Sequence, residues 1–288
     1  MRNQLSFLLL LVMLASCDIV DLPKGESASP IPPGGGTVTR KVLLEDCTGH
    51  LCTYCPEAAV IAEGLKVVYG DRLVIVALHM STTFAAPQAP IGDGIYDTDF
   101  RTAAGNAYEQ QFLVDGLPKG LINRTPFNNN ITIGRSSWSS AVAQLVDQPA
   151  TINLWIDSLA FNSGTNVITA TVKAAVLTAL PAAQNLTLYL TEDHIIDWQK
   201  DGSQPPGQQD IPNYEFNHVL RGALNSPWGE AFIPANAQPG DTLETTFAYS
   251  LPGNVLVPNN CSLVAYVYNN AGAQQYEVQQ VAERKFVP

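Results

Sequence analysis

The sequence predicts an α/β layer followed by an antiparallel β-sandwich. Three observations carry this. Between residues 39 and 148, short apolar runs of strand length alternate with stretches whose apolar residues recur at helical spacing. After Pro149 the texture changes to period-two alternation broken by Gly, Pro, Asn and Asp. At 288 residues the chain is also long for one compact domain, and its 46% hydrophobic content is ample for two cores.

The chain begins with a segment that is not part of either layer. Arg2 precedes an apolar run over residues 5–14, and Leu14-Ala15-Ser16-Cys17 follows. A positive start, a short apolar core and small residues describe an export signal over residues 1–16, too short for a stable spanning helix. The LASC sequence resembles a bacterial lipobox, which implies cleavage before Cys17 and lipid on its sulfur; an ordinary secretory signal with a chance cysteine is the alternative. Residues 17–38 hold Pro23, Pro30, Pro32, Pro33 and Gly34-Gly35-Gly36 without apolar periodicity, and read as a flexible tether.

The most informative stretch is LLEDCTGHLCTYCPEAAVIAE, residues 43–63. Val42, Leu43 and Leu44 suit a buried strand; Thr48, Gly49 and His50 break it. From Pro56 onward Ala58, Ile61, Ala62, Leu65 and Val68 mark one apolar helix face, with Pro56 in a first turn where its missing N–H costs little. Cys52 is thereby expected at a helix N-terminus, where the dipole favours thiolate, with Cys55 one turn later. Asp46 lies six residues before Cys52 on the strand, and Leu117-Pro118 precedes a short strand at 121–123. Together these resemble the thioredoxin fold. The resemblance implies that Asp46 manages the proton of the second cysteine and that Pro118 is the cis-proline facing the pair. Leu51 stands where thioredoxins carry Trp, and Thr53-Tyr54 replaces Gly-Pro.

The rest of this domain follows in order. Leu73–His79 is a second buried strand. Residues 81–100, rich in Pro, Gly and Asp, form an insertion above the cysteines, either a substrate-contacting loop or a plain surface one. Residues 99–113 read as a helix, 127–133 as a last strand, and 136–146 as a closing helix capped by Ser136. In the domain spanning 149–288, strands are expected at 151–161, 166–177, 185–195, 242–249, 262–268 and 276–281. Its most distinctive segment is YEFNHVLRGALNSPWGE, residues 214–230. With the lipobox, the TGH-x-C-x-x-C-P element and the two-domain length, it resembles the Omp28-related lipoproteins of Bacteroidetes. That resemblance implies an outer-membrane or surface-associated lipoprotein, with adhesion or receptor roles proposed for some members.

Net charge is −11, with no basic patch to neutralise phosphates, so nucleic acid is excluded as a partner. Four cysteines remain once Cys17 carries lipid. Cys52 and Cys55 admit three readings: an active dithiol, a structural disulfide, or a metal site with Cys47 and His50. The last is disfavoured because His50 and Cys52 are one residue apart and zinc motifs usually draw ligands from elsewhere. Pro56 after Cys55 excludes c-type haem, and no cofactor or metal is assigned. Cys47 and Cys261 could pair across the two domains, with separate buried thiols the favoured reading. His79, His194 and His218, the last in an alternating strand, read as structural, and the aspartates at 193, 197, 201 and 210 as a solvated loop. Two function classes follow. One is an envelope thiol–disulfide oxidoreductase with Cys52 attacking and Cys55 resolving a protein disulfide. The other is a surface binding or adhesion lipoprotein with a purely structural disulfide.

Overall fold

The computed structural model describes residues 38–286. The expected signal segment and lipidated Cys17 lie outside them. Along the chain run β1 (Val42–Thr48), α1 (Cys55–Tyr69), β2 (Leu73–His79), α2 (Ala103–Gln111), β3 (Lys119–Ile122) and α3 (Trp138–Leu145). Then follow β4 (Ile152–Asn162), β5 (Val167–Val176), β6 (Gln184–Glu192), β7 (Ile195–Lys200), β8 (Asp210–Phe216), β9 (Val219–Ala223), β10 (Glu230–Ile233), β11 (Thr242–Ser250), β12 (Cys261–Asn269) and β13 (Val278–Lys285). The molecule is mostly β with few helices.

β1 is buried along its whole length because helices cover both its faces. Val42 and Leu44 pack with Ala58, Ala62 and Leu65 of α1 and with Trp138 and Val142 of α3. Leu43 and Cys47 point the other way, towards Ala104 and Tyr108 of α2 and Phe112 just after it. β2 runs parallel to β1 and β3 antiparallel, with Asp46 opposite Ala77 on one side and Gly120 on the other. Gly120 is required there: a Cβ would lie 2.3 Å from the Trp138 indole nitrogen.

One sheet runs across the expected division at 148–149, in the order β13-β12-β6-β9-β2-β1-β3, with β10 also on β6. β2 meets β9 through Ala77 opposite Val219, and the Ala77 amide donates to the His218 carbonyl at 2.8 Å. The second sheet, β11-β5-β4, packs on the antiparallel part of the first. Leu186, Leu188, Leu190, Leu263 and Val267 meet Ile152, Leu154, Ile168 and Val172 there, which is the sandwich core. The alternate residues Tyr189, Val264, Tyr266 and Tyr268 face α2. At that junction the buried Arg124 guanidinium grips both Glu45 oxygens at 2.8 and 2.7 Å and donates to the Tyr189 and Tyr266 hydroxyls at 2.9 and 3.0 Å.

Several local expectations are corrected. Residues 127–133 form no strand, only bridges from Phe127 to Asn130 and from Gly120 to Ile133. α3 is preceded by a 3-10 turn at Arg135–Ser137, so Ser136 is not its cap. The aspartate-rich segment is not a solvated loop throughout, because β7 and β8 form a hairpin with Lys200 opposite Asp210. His218 is not in a strand; it occupies the turn between β8 and β9 with φ +58°.

Candidate functional site

Cys52 and Cys55 form a disulfide with Cα atoms 5.5 Å apart, an ordinary span for such a bond. The helix starts at Cys55, three positions after Cys52, where its N-terminus was expected, and Pro56 is its second residue. The loop between strand and helix is held tightly. The Leu51 amide donates to the Phe84 carbonyl at 2.9 Å and the Cys52 amide to the Gly49 carbonyl at 3.0 Å. Gly49 permits this approach, since a Cβ would fall 2.5 Å from the Phe84 oxygen. The 81–100 insertion is therefore docked against the disulfide loop. Tyr96 and Phe100 bury their rings edge-on to His50 at 5.4 Å each, and His79 stacks on Phe100 at 4.7 Å.

The β7–β8 hairpin covers the pair from the other side. The Lys200 amide donates to the His50 carbonyl at 2.8 Å and the Gly202 amide to the Thr53 carbonyl at 2.7 Å. The Gln199 side-chain amide donates to the Cys52 carbonyl at 3.1 Å. Cys52 and Cys55 are each only 2% exposed as a result.

Behind Cys55 lies a cavity of about 240 Å³. Asp46, Thr48 and His79 form its floor, Cys55 and Glu63 of α1 one wall, and Gln199, Tyr214 and His218 the other. Asp46 is 3% exposed and one carboxylate oxygen has no hydrogen-bond partner. Burial pushes its pKa up to about 7, because removing water disfavours the charged form. Burial pushes His79 down to about 3 for the same reason, and His50 down as well. His218 differs. Burial opposes its charge, but the hydrogen bond to Glu63 and the fields of Asp193 and Glu63 outweigh this and raise its pKa.

Of the residues picked from sequence, the structure brings Asp46 and Cys55 to one cavity. Pro118 follows a cis Leu117–Pro118 bond and leads into β3, where Lys119 stands opposite Cys47 at the C-terminal end of β1, the end that enters the disulfide loop. Cys47 and Cys261 are free and buried, and burial raises both, Cys261 to about 12. Gln199, Tyr214 and His218 carried no sequence signal as site residues, because they reach the cysteines only through pairing of strands far apart in the chain. Glu63, on α1 itself, was one polar residue of a helix with no feature to single it out. Tyr214 and His218 stand in the distinctive 214–230 segment and Glu63 at the end of the 43–63 stretch, but neither segment marks them as site residues.

The fold and site define a β-rich protein in which a buried disulfide at a helix start is backed by a carboxyl-lined cavity. The family model for the outer membrane protein Omp28 matches residues 105–286. The chain belongs to that family. The match begins after the disulfide and takes in His218, so membership rests on α2, β3 and the sandwich. HBP35 of Porphyromonas gingivalis is similar in fold, with a TM-score of 0.60 at 18% identity, covering 87% of this chain and 76% of that one. A protein from Agrobacterium tumefaciens aligns over 86% of this chain and 95% of its own at 11% identity, with a TM-score of 0.45 too low to carry an argument. No curated protein matches the sequence. Among the described residues no helix is long and apolar enough to cross a membrane.

Proposed function

We propose that this is a cell-envelope lipoprotein of the Omp28 type whose 39–148 segment is a thioredoxin-like unit with a redox-capable Cys52–Cys55 pair. The order β1-α1-β2-α2-β3-α3, with β2 parallel and β3 antiparallel to β1, supports the thioredoxin-like reading. Lipid on Cys17, after removal of residues 1–16, anchors the chain to the outer membrane through a tether over 17–38.

The observation that carries the redox reading is Asp46. A buried carboxyl without a cation or a full set of hydrogen bonds costs stability, and a purely structural disulfide gives no reason to keep one on the cavity behind Cys55. In the proposed reaction the Cys52 thiolate attacks a substrate disulfide, forming a mixed disulfide and releasing one substrate thiolate. Asp46 takes the proton of Cys55, whose sulfur then attacks Cys52 and releases the second substrate thiolate. Pro118 presents the substrate backbone, and an envelope dithiol reductant resets the pair.

The burial of both sulfurs under the β7–β8 hairpin favours a second reading, a binding or adhesion lipoprotein in which the sandwich contacts a partner. Trapping in intact cells with Cys55→Ala separates the two. Accumulation of mixed disulfides through Cys52 supports the oxidoreductase; their absence, with Cys52 and Cys55 alkylated equally slowly in the reduced protein, supports the binding protein.

A further inference from the structure

His218 occupies the tight turn between β8 and β9. Its φ of +58° lies in the left-handed region, which few non-glycine residues adopt and in which Asn, Asp and His are enriched. The turn is pinned from both sides: its amide donates to an Asp193 oxygen at 2.8 Å, and its carbonyl accepts from the Ala77 amide at 2.8 Å. Because Ala77 stands opposite Asp46 in the sheet, this fixes His218 one strand beyond Asp46, on the wall of the same cavity. The imidazole Nε2 contacts Glu63 at 2.9 Å, and the Glu63 side chain is half-exposed while that of His218 is 17% exposed. The side chain therefore stands between solvent and an interior that holds Asp46, with its unpartnered oxygen, and His79, both of whose ring nitrogens lack partners.

We propose that His218 is the proton gate of this cavity, relaying protons between bulk solvent and the Asp46 carboxyl as the disulfide cycles. The inference rests on the redox reading above. When a dithiol reductant opens the pair, its thiolate attacks Cys52, the Cys52–Cys55 bond breaks and Cys55 leaves as thiolate. Asp46 gives that thiolate a proton and must recover one from outside. The second reductant thiolate then frees Cys52, which is protonated from solvent, and the reductant ends as a disulfide. A cavity of about 240 Å³ has room for several waters at roughly 30 Å³ each to span the gap. Burial lowers the proton affinity of His218, while Glu63 on α1, Asp193 before β7 and Glu283 on β13 raise it. Lys66 acts on Glu63, Lys285 pairs with Asp193, and Glu215 and Asp46 line the same cavity.

The test is the pH dependence of the rate at which dithiothreitol reduces the full-length protein, followed by quenched alkylation. His218→Gln should slow reduction about three- to tenfold between pH 6 and 8, with exogenous imidazole restoring part of the rate. The slowing should vanish in an Asp46→Asn background. Glu63→Gln, on a half-exposed helix position that leaves the fold intact, should shift the same limb of the profile to lower pH. Wild-type profiles for both His218→Gln and Glu63→Gln, alongside a slowed Asp46→Asn, would overturn the gate and leave the redox reading standing. An Asp46→Asn profile identical to wild type would overturn both.

Discussion

Asp46 and His79 stand on neighbouring strands of the cavity floor, and burial moves their proton affinities in opposite directions. For Asp46 the folded value of about 7 lies above the ordinary 3.8. The fold thus keeps a proton that the unfolded chain releases, so stability falls as pH rises through that window and is level above it. The penalty at neutral pH is at most about 4 kcal/mol. Asp46→Asn should therefore unfold in urea like wild type near pH 3.5 and gain a few kcal/mol over it at pH 8; an equal gain at both pH values would contradict the assignment. His79 is a base held below its unfolded value, so its contribution is present above about pH 6.5 and is lost as pH falls towards 3. At this scale the sequence was informative where chemistry is local. Asp46, Cys52 and Cys55 lie within ten residues and could be placed by spacing. Gln199 and His218 could not, because nothing near them in the chain shows that they meet the disulfide.

The element that governs access to the sulfurs is the β7–β8 hairpin, latched by three hydrogen bonds to the disulfide loop. Gln199 supplies the only side chain of the three. Gln199→Ala should loosen the latch by about 1 kcal/mol and speed reduction by dithiothreitol roughly three- to fivefold; unchanged kinetics would mean that attack does not wait for the hairpin. This hairpin was hidden because Asp, Gly and the Pro205-Pro206 pair dominate its composition, while the packing that stabilises it sets its own Ile195 and Phe216 against Phe100, over ninety residues earlier in the chain, and Val219. Strand β1 and helix α1 were legible since a doubly covered strand and an amphipathic helix each declare themselves in local pattern. The expected strand at 127–133 failed for the converse reason: Asn128 and Asn129 adopt left-handed backbone and turn the chain before a ladder can form.

Across the whole molecule, the change of texture at Pro149 was legible, but not the sheet that runs through it. Pairing of β2 with β9 depends on partners over 130 residues apart, beyond any periodicity. The Arg124 cluster ties the halves: Glu45 comes from β1, Tyr189 from β6 and Tyr266 from β12. Arg124→Met leaves the Glu45 charge buried and unpaired and should cost about 3–5 kcal/mol. Joint replacement of Arg124 and Glu45 by Met should recover most of it in urea unfolding, with one transition at both far- and near-UV wavelengths; two separated transitions would contradict a shared core. The central claim is that Cys52 and Cys55 turn over. The most direct measurement is insulin disulfide reduction by the full-length protein with dithiothreitol as reductant, run beside Cys52→Ser and Cys55→Ser. Turnover well above the reductant alone, abolished in Cys52→Ser, is the expected result. A wild-type rate equal to that of both variants and of reductant alone would show that the disulfide is structural.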